Sequence, residues 1–256
     1  MRLLLRKAKT AQVDGRTRVL VKEHLFTCRD TSKDYHTKHG VIPKKLLKAP
    51  DGTILKDNNN NEYIIFTASF ADVLSRHRRL PQSMVRKDTG YILAETGVNR
   101  HSIALDAGVG NGYLTATLAN VCKKVIGYDV EQKHLDNAKE NLETLGIKNV
   151  TLQHGSVYEP VTEKKLDLVT LDVPEPWQAL PHMISALRIG GTLVTYSPSI
   201  IQVKKTIEKA QQHDELHIVK TIELLERGWK VKGDAVRPDN IEIGHTGFLS
   251  FFRKIQ

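Results

Sequence analysis

Asp106-Ala107-Gly108-Val109-Gly110-Asn111-Gly112 (DAGVGNG) joins a short apolar run, residues 102–106 (SIALD), to a helix-forming run, residues 112–119. The glycines let the backbone turn tightly and approach a ligand with no Cβ in the way. Free amides at a helix start can meet an anionic group. Such a loop between strand and helix is the nucleotide-binding corner of a doubly wound α/β sheet.

The chain reads outward from that corner as alternating strands and helices. Strands are expected at residues 124–129 (KVIGYD), 150–154, 166–172 (LDLVTLD) and 192–197, with two more at 216–225 and 247–253. Helices are expected at 132–145, where Leu135, Ala138, Leu142 and Leu145 share one face, at 178–187 stopped by Gly190-Gly191, and at 199–212. Strand–helix alternation of this kind predicts a mostly parallel sheet with the ligand beyond the strand carboxyl ends. Before residue 76 the texture differs. Turn signals at Asp14-Gly15, Pro50-Asp51-Gly52 and residues 57–61 separate strand-like runs at 18–26, 53–56 and 62–67. The expected organisation is a small β-rich domain over residues 1–75 and an α/β domain over residues 76–256, with residues 58–61 a solvated loop.

Two details distinguish the glycine loop from the GxGxxG of nicotinamide sites. An acid, Asp106, precedes the first glycine, and the final spacing is GxGxG. The next strand then ends in Asp129, whose carboxylate can accept both hydroxyls of a ribose. Both details suit S-adenosylmethionine. A helix N-cap is the plainer role for Asp129. His134, one turn into the following helix, can reach the same cleft.

The fourth strand runs into Asp172-Val173-Pro174-Glu175-Pro176-Trp177 (DVPEPW). Two prolines around one residue cannot continue a strand, so they make a stiff turn that fixes Asp172 at the mouth of the site. Trp177 either packs in the core or offers a surface for a base, a contact worth about 1–3 kcal/mol.

The bulk properties bound these readings. The 256 residues carry a net charge of +9, which favours polyanionic partners, with solubility as the plainer alternative. No apolar run is long enough to span a bilayer. Cys28 and Cys122 lie far apart without CxxC spacing, so they build no metal site, and a reducing cytoplasm is the expected compartment.

The ordered blocks YHTKHGVI (residues 35–42), RRLPQSMVRKDTGYIL (78–93), DAGVGNGYL (106–114), DVPEPW (172–177) and VRPDNIEIGHTGF (236–248) resemble the tRNA (adenine-N1)-methyltransferases of the TrmI type. The resemblance spans nearly the whole chain. It implies a class I S-adenosylmethionine methyltransferase fold, Rossmann-like with a seven-stranded mostly parallel sheet, beside a small N-terminal β-rich domain. It implies a cytoplasmic, RNA-binding homotetramer that methylates T-loop adenine, usually position 58 of the tRNA and also 57 in archaeal-like members. Carried across by motif, Asp172 is the catalytic carboxylate. Gln82, Gly108, Gly110, Asn111, Gly112, Tyr113, Leu114, Asp129, His134, Ser156 and Asp172 are cofactor contacts. His245 lies close to the pocket. Beside Gln82 the basic stretch Arg76, Arg78, Arg79, Arg86 and Lys87 suits phosphate contact, with a solvated charged face as the plainer reading, and with Trp177 and His245 these arginines are the expected RNA-side residues. The sequence departs from the family at Ser156, where an acid is common, and at Val85, where an aromatic is common.

Adenine N1 has a free lone pair, so the expected work of the site is alignment and exclusion of water. Asp172, ionised at an ordinary aspartate pKa near 3.9, would accept a hydrogen bond from the adenine 6-amino group. The competing expectations are a methyltransferase for another RNA position or for a small-molecule or protein substrate, and an inactive RNA-binding subunit.

Overall fold

The computed structural model describes all residues except 15, 77–83, 233–234 and 241–243. The chain forms two compact units, Met1–Arg76 and His77–Gln256.

In the first unit, β1 (Arg2–Arg6), β4 (His24–Cys28), β7 (Ile54–Lys56) and β8 (Glu62–Thr67) make an antiparallel sheet in the order β4-β1-β8-β7. Leu4, Phe26, Cys28, Ile42, Leu47, Leu55, Tyr63 and Ile65 form its core. Two hairpins stand apart, β2 (Lys9–Val13) with β3 (Arg16–Val21), and β5 (Tyr35–Thr37) with β6 (Gly40–Ile42). The single strand expected over residues 18–26 is thus two strands in different sheets, divided at Lys22-Glu23. The run 58–61 is a loop with residues 58–60 exposed, as expected, and it is also anchored. Buried Asp57 accepts from the amides of Asn59 and Asn61 and from the Tyr63 hydroxyl, while Asn58 Oδ1 accepts from Val41 N at 2.6 Å and ties the loop to β6. A short helix, α1 (Phe70–Leu74), closes the unit with a Ser69–Asp72 capping box.

The second unit opens with α2 (Arg86–Thr96), continues through β9 (Ile103–Ala107), α3 (Tyr113–Ala119), β10 (Lys124–Asp129), α4 (Gln132–Thr144), β11 (Val150–His154), β12 (Leu166–Leu171), α5 (Pro176–Ala186), β13 (Leu187–Ser197), α6 (Ile200–Ala210) and β14 (Leu216–Glu223), and ends in the hairpin β15 (Trp229–Lys232) and β16 (Ala235–Pro238) and in β17 (Phe248–Lys254). Seven strands form one sheet in the order β11-β10-β9-β12-β13-β17-β14. All pairings are parallel except those of β17, which runs antiparallel to both neighbours.

Burial explains the order. β9, β10, β12, β13 and β17 each carry four or more consecutive buried residues, as strands covered on both faces must. β14 alternates buried or half-buried with exposed positions, and it lies at an edge. Along the central strands, period-2 alternation sorts the side chains. Leu105, Ile126, Val169, Leu193 and Phe252 pack with Leu180 and Met183 of α5 on one side. Ala104, Val125, Leu168, Val194 and Phe251 pack with Ile92 of α2 and Leu114 and Leu118 of α3 on the other. Each such Leu, Ile or Phe contributes about 1.5–3 kcal/mol by leaving water.

Two boundaries differ from expectation. α5 begins at Pro176, two residues early, because proline is preorganised for the first helical position and the amide it lacks would be unpaired there. Gly190-Gly191 is not a helix stop but part of β13. The register between β12 and β13 shifts between Leu166 and Leu168, and a Cβ on Gly191 would lie 2.8 Å from Leu166 O, so the glycine admits a close strand approach.

Candidate functional site

The strand order reverses between β9 and β12, and the two flanking loops open a crevice there. The crevice is a cavity of about 970 Å³ lined by residues 106–111, Tyr113, Leu114, residues 128–131, His134, residues 155–158, residues 172–175, Met84, Pro198 and Gln202. That volume is at the upper end for a pocket holding a drug-sized ligand.

The DAGVGNG loop is drawn onto β10. Gly108 N and Val109 N both donate to Tyr128 O, at 2.9 and 3.2 Å. Gly108 sits at φ +84°, and a Cβ there would lie 1.9 Å from the carbonyl oxygen of Asp172. The loop and the end of β12 can meet only through a glycine. Gly110 N donates to Asp129 Oδ2 at 2.9 Å. Asn111 is buried, accepts from Tyr113 N through Oδ1 at 3.2 Å, and has its carbonyl held by Asn141 Nδ2 at 2.9 Å. Gly112 is the N-cap of α3. Tyr113 is buried at the cavity wall, and its hydroxyl lacks a hydrogen-bond partner among the described residues.

Asp129 does not cap α4, whose N-cap is Glu131. Its Oδ1 accepts from Glu131 N at 2.9 Å and lies 3.3 Å from His134 Nδ1. The carboxylate is thereby held at the cavity wall with His134 beside it. Ser156 also lines the cavity, and its Oγ accepts from Tyr158 N at 3.2 Å.

Three carboxyl groups dominate the electrostatics. Asp106 is fully enclosed, with Thr115 Oγ1 donating to Oδ2 at 2.6 Å and Thr170 Oγ1 donating to Oδ1 at 2.7 Å. Burial outweighs those hydroxyls and raises its pKa to about 6. Asp172 has no side-chain hydrogen bond among the described residues. Burial first, then the Asp106 and Asp129 charges, push it up to about 7. This corrects the sequence-based expectation of an ordinary aspartate: its environment penalises the charged form. Among the described residues lining the cavity there is no Lys or Arg, against Asp106, Asp129, Glu131, Asp172 and Glu175.

The DVPEPW turn is tied down on two sides. Glu175 N donates to Tyr158 Oη at 3.0 Å, and Gln202 Nε2 donates to Pro174 O at 2.8 Å. Gln202 Oε1 meanwhile accepts from Ser199 N at 3.1 Å in the capping box of α6. Neither Tyr158 nor Gln202 was singled out by sequence reasoning. Ser199-x-x-Gln202 is legible as a capping box, whereas nothing in the sequence flags Tyr158.

Arg86, Trp177 and His245 do not line the cavity. Gln82, Arg78 and Arg79 lie outside the described residues. Arg86 is exposed at the first position of α2. Trp177 is half-buried and does not line the cavity; Lys205 Nζ of α6 stands 4.8 Å from its ring centroid. His245 bonds Glu223 Oε1 at 2.5 Å and Pro198 O at 2.8 Å through its two ring nitrogens. Both partners accept, so both nitrogens donate, and the Glu223 carboxylate above all raises the His245 pKa. His245 thus buttresses Pro198, which does line the cavity. Next to it Thr246 donates to buried Asp88 at 2.9 Å and accepts from Lys87 Nζ at 2.6 Å, while Tyr196 Oη donates to Thr246 O at 2.7 Å. Cys28 and Cys122 are both buried and free.

Known proteins share this architecture. The family model described as "tRNA methyltransferase complex GCD14 subunit" matches residues 71–244. The Methanocaldococcus jannaschii protein named tRNA (adenine(57)-N(1)/adenine(58)-N(1))-methyltransferase TrmI is 30% identical, over 89% of this chain and 90% of its own length. The Thermus thermophilus tRNA (adenine(58)-N(1))-methyltransferase TrmI is 28% identical, over 86% of this chain and 88% of its own. Among solved structures, a SAM-dependent O-methyltransferase from Thermotoga maritima matches with a TM-score of 0.81 at 26% identity, covering 100% of this chain and 93% of that one. The tRNA (m1A58) methyltransferase TrmI of Aquifex aeolicus matches with a TM-score of 0.78 at 22% identity, covering 100% and 97%. The sheet is that of the class I S-adenosylmethionine methyltransferases, and the chain belongs to the family described as tRNA methyltransferase complex GCD14 subunit.

Proposed function

We propose that this chain transfers a methyl group from S-adenosylmethionine to N1 of adenine 58 in the tRNA T-loop, and to the neighbouring adenine 57. The observation that carries the reading is the anionic cavity at the strand switch point, rich in carboxylates and without Lys or Arg among its described lining residues. Such a lining suits a ligand that is cationic at sulfur and amine and carries ribose hydroxyls. The named functions of the two TrmI relatives supply the target.

The cofactor supplies an activated methyl group on a sulfonium leaving group. The residues of this chain align and stabilise. Asp129, already oriented by Gly110 N and Glu131 N, accepts the ribose hydroxyls. The close contact of Gly108 with Asp172 O fixes the distance between the donor loop and the base-binding turn. Asp172, in its ionised form, accepts from the adenine 6-amino group, which selects adenine over guanine and offsets the positive charge that develops on the ring. Reaching N1 requires taking the base out of its tertiary contacts, at a cost of a few kcal/mol. The active form in this reading is a cytoplasmic homotetramer. Trp229, Val231 and Val236, exposed by 58%, 75% and 60% on the β15–β16 hairpin, supply apolar surface for assembly.

The test incubates purified protein with radiolabelled S-adenosylmethionine and unmodified tRNA transcript, then identifies the labelled nucleoside. Label in 1-methyladenosine within the T-loop is expected. Label in another nucleoside, or no transfer by protein that binds the cofactor, would overturn the assignment.

A further inference from the structure

Charge is divided unequally between the two units. Met1–Arg76 holds fifteen of the 38 Lys and Arg residues but eight of the 29 Asp and Glu, so it carries +7 of the net +9. Residues 2–22 alone contain seven basic side chains and one acid, Asp14. Most of this segment is the β2–β3 ribbon, which pairs with no other strand among the described residues.

Three cations of this unit have acidic partners among the described residues. Arg2 pairs with Asp51, Lys33 with Asp30 and Lys56 with Glu62. Lys7, Lys9, Arg18 and Lys22 are exposed on or beside the ribbon and form no ion pair among the described residues. β2 has no fully buried residue. The ribbon therefore adds little to the core, and an isolated two-stranded hairpin is marginal by itself. Concentrating like charges on it costs stability through self-repulsion and creates a field that attracts a polyanion. Its strands are about 17 Å long, a length over which a nucleic-acid duplex presents roughly ten phosphate charges.

We propose that the β2–β3 ribbon is the arm that docks the RNA backbone, with Lys7, Lys9, Arg18 and Lys22 meeting phosphates without reading sequence. The inference rests on the RNA-methylation reading and assigns the grip on RNA to a different unit from the methyl-donor cavity. As the occupant of the ribbon itself a second copy of this chain fits poorly, because both units carry net positive charge, +7 and +2, whereas the apolar β15–β16 hairpin offers assembly a surface elsewhere. An anionic membrane fits less well, because the ribbon offers only Val19 and Leu20 as large exposed apolar side chains to bury among lipid headgroups.

The test compares the full chain with its K7Q/K9Q/R18Q/K22Q variant. Affinity for tRNA is measured across a salt series, together with KM for tRNA, kcat, S-adenosylmethionine affinity and oligomer mass. Each lost phosphate contact removes about 0.7–0.9 from the log–log salt slope, so the slope should fall by about 3. KM for tRNA should rise at least about tenfold, with kcat and cofactor affinity unchanged. An unchanged slope and KM in an active enzyme would overturn the ribbon assignment alone. So would a change in oligomer mass with RNA affinity intact, or phosphatidylserine vesicles bound more tightly than tRNA. If the variant loses tRNA affinity but the wild-type chain labels no adenine, the ribbon stands and the adenine assignment falls. A wild-type chain that binds no tRNA overturns both.

Discussion

The carbonyl oxygen of Asp172 occupies the space where a side chain at residue 108 would begin: a Cβ on Gly108 would sit 1.9 Å away. The methyl-donor loop and the turn bearing the candidate catalytic carboxylate therefore have one permitted spacing, set by two residues 64 positions apart in the chain.

Gly108→Ala should separate these two segments. Backbone atoms cannot yield as a flexible side chain can, and φ +84° itself costs a non-glycine residue about 1–3 kcal/mol. Calorimetric titration should show S-adenosylmethionine affinity reduced at least about tenfold, with a lowered melting temperature. Unchanged affinity would show that the loop position does not govern cofactor binding.

Asp172 links pH, activity and stability. In the proposed mechanism its ionised form accepts from adenine, and its pKa is pushed up to about 7. The kcat/KM profile should therefore rise with pH through about 7 and then level. The stability sign is opposite. Between the ordinary value and about 7, the folded chain keeps a proton that the unfolded chain has released, so stability falls as pH rises through that window. Asp172→Asn removes this loss. At pH 8, without cofactor, the variant should melt higher, by roughly 2–4 °C per kcal/mol recovered, while kcat falls by orders of magnitude. A variant that melts lower and remains active would contradict both arguments.

Gln202→Glu isolates one of the two ties on the DVPEPW turn. A glutamate at this position keeps the capping box of α6 but cannot donate to Pro174 O. Thermal stability and cofactor affinity should stay close to wild type while kcat drops roughly tenfold, the size expected for a lost hydrogen bond of about 1 kcal/mol with some displacement of the turn. Unchanged kcat would show that the bond to Pro174 O does not govern the turn, and would leave the residue a helix cap alone.

Asp88 is fully buried and meets Lys87, whose side chain is 12% exposed. Asp88→Ala leaves that ammonium without its counter-ion and the Thr246 hydroxyl without its acceptor, although the two still bond each other. Urea unfolding should report a loss of about 3–5 kcal/mol. A loss under 1 kcal/mol would show that the pair is not effectively buried.

How much of this can be read from the chain follows from how local each feature is. β10, β11 and β8 are legible to the residue, because their apolar runs are bounded by clear polar or turn residues. The DAGVGNG loop and Asp129 are legible because glycine and a strand-terminal acid carry their chemistry in residue type and spacing. α2 is not, since Gly90 interrupts a weakly patterned segment that helix propensity alone does not favour. Tyr158 and Gln202 reach the site through folding, 14 or more residues away from the turn they hold. The raised pKa of Asp172 is equally non-local, because it depends first on burial by the assembled fold and then on Asp106 and Asp129 arriving from two other strands.

β17 lies between β13 and β14 although it follows both in the chain. A nascent chain has emitted every other strand of this sheet before the one that joins β14 to the other five is available. Until Phe248–Lys254 inserts, β14 has no neighbour, the Tyr196–Thr246 bond cannot lock, and the inner faces of Phe251 and Phe252 are missing from the two cores. Closure of the sheet is thus a late event in the order of the chain: with Phe248–Lys254 not yet seated, β13 is a bare edge and the fold is an open one.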